Sequence, residues 1–239
     1  DTTDEMEVIH GNLNGRIYFS YGSSDVGTET PIAVQITNTG NDVSESTTAD
    51  VWIENKHGDT VYESTVSVSE LQPGDSARKE LDVVLNTSGT NTAYVDVNDP
   101  TFPIGNQGQD DIDVLSPDLR TSLTVSDTRI GNQSDVSITI VNEGEITAEA
   151  TSVEVTMYND NDRQVVHEEF GVQRLAPGES VTIEYDQLIA AECWRTEMTC
   201  EPGASISTGT YSAVADVEVE YAEQGTVGED TFLVEEKQQ

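Results

Sequence analysis

The chain repeats itself at a fixed spacing. "LQPGDS" at 71–76 returns as "LAPGES" at 175–180, 104 positions later. A Leu, then Pro-Gly, then an acidic-Ser pair marks a strand that ends, a chain that reverses and a strand that begins. The same shift lays "VGTETPIAVQITNTGNDVSESTTADVWI" (26–53) on "IGNQSDVSITIVNEGEITAEATSVEVTM" (130–157) without a gap. Gly27 meets Gly131, Asn38 and Gly40 meet Asn142 and Gly144, and Val51 meets Val155. Carried upstream, that register sets Phe19 against Leu123 and Tyr21 against Val125. A corner built twice implies a domain built twice, and 239 residues are enough for two compact domains.

Within each copy the apolar residues alternate with period two, as half-buried strands require. The first copy predicts strands near 16–21, 31–38, 49–54, 60–68, 76–85, 91–97 and 110–115. The second predicts them near 120–125, 135–142, 152–158, 164–170, 180–189, 210–220 and 229–235. "NKHGD" (55–59) and "NDNDR" (159–163) are hairpin turns at matching places. About seven short strands in roughly 110 residues read as an antiparallel sandwich, so the fold class is all-β: two tandem immunoglobulin-like antiparallel β-sandwiches. The expected division is an extension over 1–10, a first sandwich over 11–116 and a second over 117–239. The short link near 113–119, holding Pro117, is expected to be stiff.

An alternating strand ending in Asn-x-Gly, a later strand pair and a Leu-x-Pro-Gly corner occur in both copies. Together they resemble the CARDB-type domain, a cell-adhesion-related sandwich of archaeal and bacterial surface proteins. "SPDLRTSLTV" (116–125) is also similar to the usual opening of that family, which the first copy lacks. The resemblance implies extracellular scaffolding, adhesion or display, and it implies no catalytic residue.

Acidic residues outnumber Lys and Arg by 46 to 10, for a net charge of −36. A surface of that sign excludes nucleic acid as a partner. The carboxylates alternate with Val, Ile and Leu, as in "ADVEVEYAE", so they form the solvated face of folded structure and not a tail. Their mutual repulsion destabilises a compact fold in dilute buffer, and at molar salt a Debye length of ~3 Å removes most of it. The composition resembles that of proteins from extreme halophiles such as haloarchaea; a calcium-loaded surface is the rival explanation. No stretch reaches the ~20 apolar residues of a membrane-spanning helix. A start at Asp1 fits a processed, exported product or an excised fragment, and the expected location is outside the cell or on its surface.

The copies differ in two places. The second inserts 16 residues, within 190–206, that contain "AECWRTEMTCEPGAS". Cys193 and Cys200 are expected to form a local disulfide in an exported chain, with two reduced thiols as the alternative. Trp194, Arg195 and Met198 then sit on a stapled loop that either contacts a partner or folds over its own domain. The other difference is the extension, where Met6, Val8 and Ile9 have strand character. They serve either as a donor strand for a neighbouring molecule or as a cover for the edge of their own domain. Donor strands repeated head to tail generate a filament.

Two sequons, at Asn86 and Asn132, fall in expected loops and make N-glycosylation an expectation for an exported chain. His10, His57 and His167 have no metal-ligand spacing. No GxSxG elbow or Gly-rich phosphate loop occurs, so neither catalysis nor a cofactor is expected. "NDNDR" with Asp160 and Asp162 lacks the Gly and closing Glu of a calcium loop, and "QDDIDV" with Asp110, Asp111 and Asp113 sets only Asp111 and Asp113 on one face; both read as turn chemistry. Trp52 alternates to the outer face of its strand, where it lines an interface or shields an edge. The combined expectation is a non-enzymatic extracellular structural protein: a subunit of a surface filament, bound to copies of itself, to envelope proteins or to glycans. The alternatives are a monomeric adhesion or ligand-binding module of a larger envelope protein, and a viral surface decoration protein.

Overall fold

The computed structural model describes residues 11–98, 107–189, 207–219 and 226–236. Contacts divide the chain into two compact units, Asp1–Leu115 and Ser116–Gln239. The first holds β1 (Leu13–Phe19), β2 (Ser23–Asp25), β3 (Glu29–Asn38), β4 (Thr47–Glu54), β5 (Thr60–Val68), β6 (Ser76–Val84), β7 (Gly89–Val97) and β8 (Gln107–Leu115). The second holds β9 (Leu119–Val125), β10 (Thr128–Arg129), β11 (Gln133–Asn142), β12 (Thr151–Tyr158), β13 (Gln164–Val172), β14 (Ser180–Leu188), β15 (Gly209–Val217) and β16 (Thr226–Glu235). No helix interrupts either series among the described residues.

Each unit is a sandwich of a three-stranded and a five-stranded sheet. In the first the orders are β1-β3-β6 and β2-β8-β7-β4-β5; in the second, β9-β11-β14 and β10-β16-β15-β12-β13. Period two decides which side chains enter the core. Along β3, Ile32, Val34 and Ile36 are buried, and along β11 Val136, Ile138 and Ile140 are buried at the corresponding positions. Val51, Ile53, Val95, Ile112 and Val114 close the first core from the other sheet. Val153, Val155, Met157, Tyr211, Phe232 and Val234 close the second. Each such side chain contributes ~1.5–3 kcal/mol on full burial, so the alternation alone explains why the sheets pair.

The alternating strands occur where expected, and two details differ. The strand predicted at 16–21 runs earlier, over Leu13–Phe19, and Tyr21 is 65% exposed outside it. Phe19 pairs with Ile32 and Val125 pairs with Val136, so Phe19 corresponds to Val125 and not to Leu123. The first copy carries two more residues between its first long strands, and that shifts the upstream register. The other difference is the pair of short strands β2 and β10, which run parallel to β8 and β16. Three and two residues are too few to show any periodicity.

A Gly-x-Asp step in the last strand of each copy holds the two sheets together at one side. Asp110 accepts the Phe19 N–H at 2.8 Å and Asp230 accepts the Val125 N–H at 2.7 Å. Both glycines lie where the first strand passes close by. A Cβ on Gly108 would sit 2.7 Å from the Gly15 carbonyl oxygen and 2.9 Å from Arg16 Cα; one on Gly228 would sit 3.1 Å from Leu123 N. Gly108→Ala is expected to cost roughly 1–3 kcal/mol, because backbone must move to admit the methyl. Gly22→Ala, with open space around it, is the matched control. Urea midpoints at molar salt measure the difference, and equal midpoints would contradict the close approach.

Candidate functional site

The Asn-x-Gly and Leu-x-Pro-Gly motifs meet in space. Asn38 is 0% exposed, and its Nδ2 donates to Asp42 O and Leu71 O, both at 2.8 Å. Its Oδ1 accepts from Gly40 N at 2.9 Å and Asn12 N at 3.2 Å. Asn142 repeats the arrangement: Nδ2 donates to Ile146 O at 2.8 Å and Leu175 O at 3.0 Å, while Oδ1 accepts from Gly144 N and Asp118 N. Both amides therefore make four hydrogen bonds, which is what makes their burial affordable. The corner itself turns on Gly74 (φ 84°) and Gly178 (φ 77°), a conformation that side-chain-bearing residues avoid. Gly74 N and Gly178 N then bond back to the carbonyls of Asn38 and Asn142.

The asparagine and the corner of both clamps lie within two matches to one family. The CARDB family profile matches residues 17–111 and again 116–226. The chain belongs to the CARDB family. The CARDB domain of a Pyrococcus furiosus protein, crystallised in complex with di-metal ions, is 19% identical; the match covers 45% of this chain and 96% of that one at a TM-score of 0.37. The solution structure of that domain matches at 19% identity over 45% and 97% of the two chains, with a TM-score of 0.36. A red sea bream transglutaminase matches at 10% identity and a TM-score of 0.37, over 96% of this chain. The chain spans 32% of that transglutaminase's length. No curated protein matches.

The outer faces of the two CARDB sandwiches differ where the cores agree. On the first three-stranded sheet Arg16 and Arg78 flank Gln35. The Arg78 guanidinium lies 5.0 Å from the centre of the Tyr18 ring, bonds the Tyr18 hydroxyl and pairs with Glu80 at 3.1 Å. The corresponding rung of the second sheet is Ser122–Thr139–Thr182. This cationic rung was visible as "GRIYF" and "SARKE" once the strands were placed, but no motif draws attention to it.

On the five-stranded sheet of the first sandwich, Trp52 stacks on Tyr94 with ring centres 5.1 Å apart and planes 15° apart. The indole N–H donates to Glu54 Oε1 at 3.2 Å. The rings are cross-strand neighbours and face one another, so the pair stiffens the sheet surface more than it offers a flat platform. In the second sandwich Thr156 stands at the position of Trp52, opposite His167. One residue pair along, Glu154 lies between Glu169 and Asp216 on the neighbouring strands.

The acidic motifs are taken up by local structure. Thr90 donates to Asp113 at 2.9 Å, Asp110 serves the clasp already described, and Asp111 faces solvent. Asp160 accepts from Asn161 Nδ2 and from Ser207 Oγ. Asp162 takes the left-handed turn position with φ 55°, matching Gly58 at φ 82°. Among the described residues no group of three or more His, Cys, Asp or Glu side chains could hold a metal ion, and no helix is long and apolar enough to cross a membrane. Burial, with help from the Glu168 charge, holds the Tyr185 hydroxyl well above the usual tyrosine range; burial likewise raises Tyr211, whose hydroxyl donates to Ser207 O.

Of the residues singled out in the sequence, Asn86 and Asn132 are both exposed. Met6, Val8 and Ile9 of the extension lie outside the described residues, as do Cys193, Trp194, Arg195, Met198 and Cys200 of the insertion.

Proposed function

We propose that this chain is a non-enzymatic structural and adhesion module of a cell surface, working as a self-contained pair of folded CARDB sandwiches in concentrated salt. One observation carries the reading. Both copies have the same eight strands in the same order, and the first reaches that set from residue 13 onward. Among the described residues each copy builds both sheets from strands of its own unit, whereas a donor-strand filament needs a subunit with a strand missing. The partners that fit are other envelope proteins, met through the outer faces and end loops. The charge of −36 supports a saline exterior.

The test is light scattering and electron microscopy of the intact chain at molar salt, beside a variant lacking residues 1–10. Both forms are expected to be monomeric particles with the same melting temperature. Threads formed by the intact chain and lost on truncation would replace this reading with the filament.

A further inference from the structure

The two sequons have different relations to the fold. Asn132-Gln133-Ser134 runs from a turn into β11, and Gln133 and Ser134 are paired with Leu188 and Gln187 of β14. Ser134 is 0% exposed and its hydroxyl donates to Ser126 O at 2.5 Å. The fold accounts for that hydroxyl without reference to glycans. The corresponding residue of the first copy, Thr30, is 1% exposed and shares a hydrogen bond with Ser24 Oγ at 2.5 Å, yet Thr28 precedes it where a sequon needs Asn. A buried hydroxyl at this point ties the second long strand of each copy to the segment before it.

Asn86-Thr87-Ser88 lies wholly in the connection between β6 and β7, outside every strand. Its two ends are held from below. Leu85 is 1% exposed and its carbonyl accepts the Gly27 N–H at 2.9 Å. The fully buried Asn91 donates to Thr87 O at 3.0 Å and to Gly89 O at 2.9 Å. The loop is thereby fixed with Asn86 outward.

We infer that Asn86 is an N-glycosylation site of the folded protein, and that Asn132 accepts a glycan only on chain that has not yet folded. The inference rests on the surface-module reading for its biological setting. A transferase must reach the asparagine amide and the hydroxyl two residues on, and at Asn132 that hydroxyl is inside the sandwich. At Asn86 the side-chain nitrogen attacks C1 of the first sugar of a phospholipid-linked oligosaccharide. The N–C1 bond forms, the C1–O bond to phosphate breaks, the lipid phosphate leaves with the electron pair, and the amide proton passes to a base of the transferase.

The test uses the purified, folded chain at molar salt. It is incubated with membranes of a haloarchaeon that contain the transferase and its lipid-linked oligosaccharide, beside peptides spanning each sequon as unfolded references. Glycopeptide mass spectrometry is expected to find both peptides modified and, on the folded chain, Asn86 alone. Ser88→Ala should abolish the glycan and leave the melting temperature unchanged, whereas Ser134→Ala should keep the glycan and lower the melting temperature. Modification of Asn132 on the folded chain to the level of its peptide would overturn the inference. So would a folded chain, or an Asn86 peptide, that takes no glycan at Asn86. Because purified chain is used, these outcomes do not depend on export. A native protein with no glycan, alongside successful transfer here, would count against the surface setting and not against the site.

Discussion

Replacing Asn142 with alanine is expected to destabilise the second sandwich by about 3–5 kcal/mol, a large part of the stability of an ordinary domain. Four hydrogen bonds disappear together, two donated and two accepted. The Leu175 carbonyl keeps a partner, the Ala148 N–H at 2.9 Å, so its loss is partial. The part-buried N–H groups of Gly144 and Asp118 lose their acceptor, and a small cavity replaces the buried amide. Asn38→Ala should do the same to the first sandwich, since its partners are equivalent and the Leu71 carbonyl is likewise shared with Ser44 N–H at 3.0 Å. Asn142→Asp is the sharper variant: it keeps the shape, cannot donate to Ile146 O or Leu175 O, and brings a charge into the interior. Urea titration at molar salt reads all three, and a loss under 1 kcal/mol for both alanine variants would remove the clamp from the account.

Withdrawing salt should have an effect of similar size. The net charge of −36 is spread over the outer faces, and Glu154 faces Glu169 and Asp216 directly across the strands, while Asp135 faces Asp186. The ion pairs of Arg78, Arg120, Arg129 and Arg174 are all exposed, and exposed pairs contribute little. At 0.1 M ionic strength the Debye length of ~10 Å lets neighbouring rungs repel; at 1 M it is ~3 Å and they scarcely interact. Several kcal/mol of repulsion translates to a melting temperature lower by on the order of 10–20 °C in dilute buffer. Glu154→Gln should recover ~0.2–1 kcal/mol at low salt and nothing at 2 M. Calorimetry against potassium chloride concentration measures both. A flat melting temperature, or a Glu154→Gln gain that persists at high salt, would show that charge repulsion is not what salt relieves.

The architecture was legible because a half-buried strand writes itself as alternation. From β3 to β7, and from β11 to β14, core residues such as Val34, Val51 and Ile138 fall on every second position. Upstream of β3 the 104-residue spacing is off by two residues: "GRIYF" and "TSLTV" share no residue that pins one on the other, and the connection differs in length. β2 and β10 exist because backbone from the turn reaches a neighbouring edge, a tertiary event with no local pattern. The site features divide in the same way. Asn38 and Asn142 stood out as motif letters, but their role depends on carbonyls 33 residues further along the chain. Gly108 and Gly228 gave no signal at all, since what makes them necessary is a strand more than 90 positions away. The sequons show the reverse case, two identical motifs that only burial can tell apart.

The proposed module requires each CARDB copy to fold without a strand from outside it. The most direct measurement is the thermal unfolding of residues 11–115 alone, at 2 M potassium chloride, followed by near-ultraviolet circular dichroism. A single cooperative transition is expected, unmoved by an added peptide of residues 1–10. A fragment that shows no fixed tertiary signal until that peptide is supplied would contradict it and restore the donor strand.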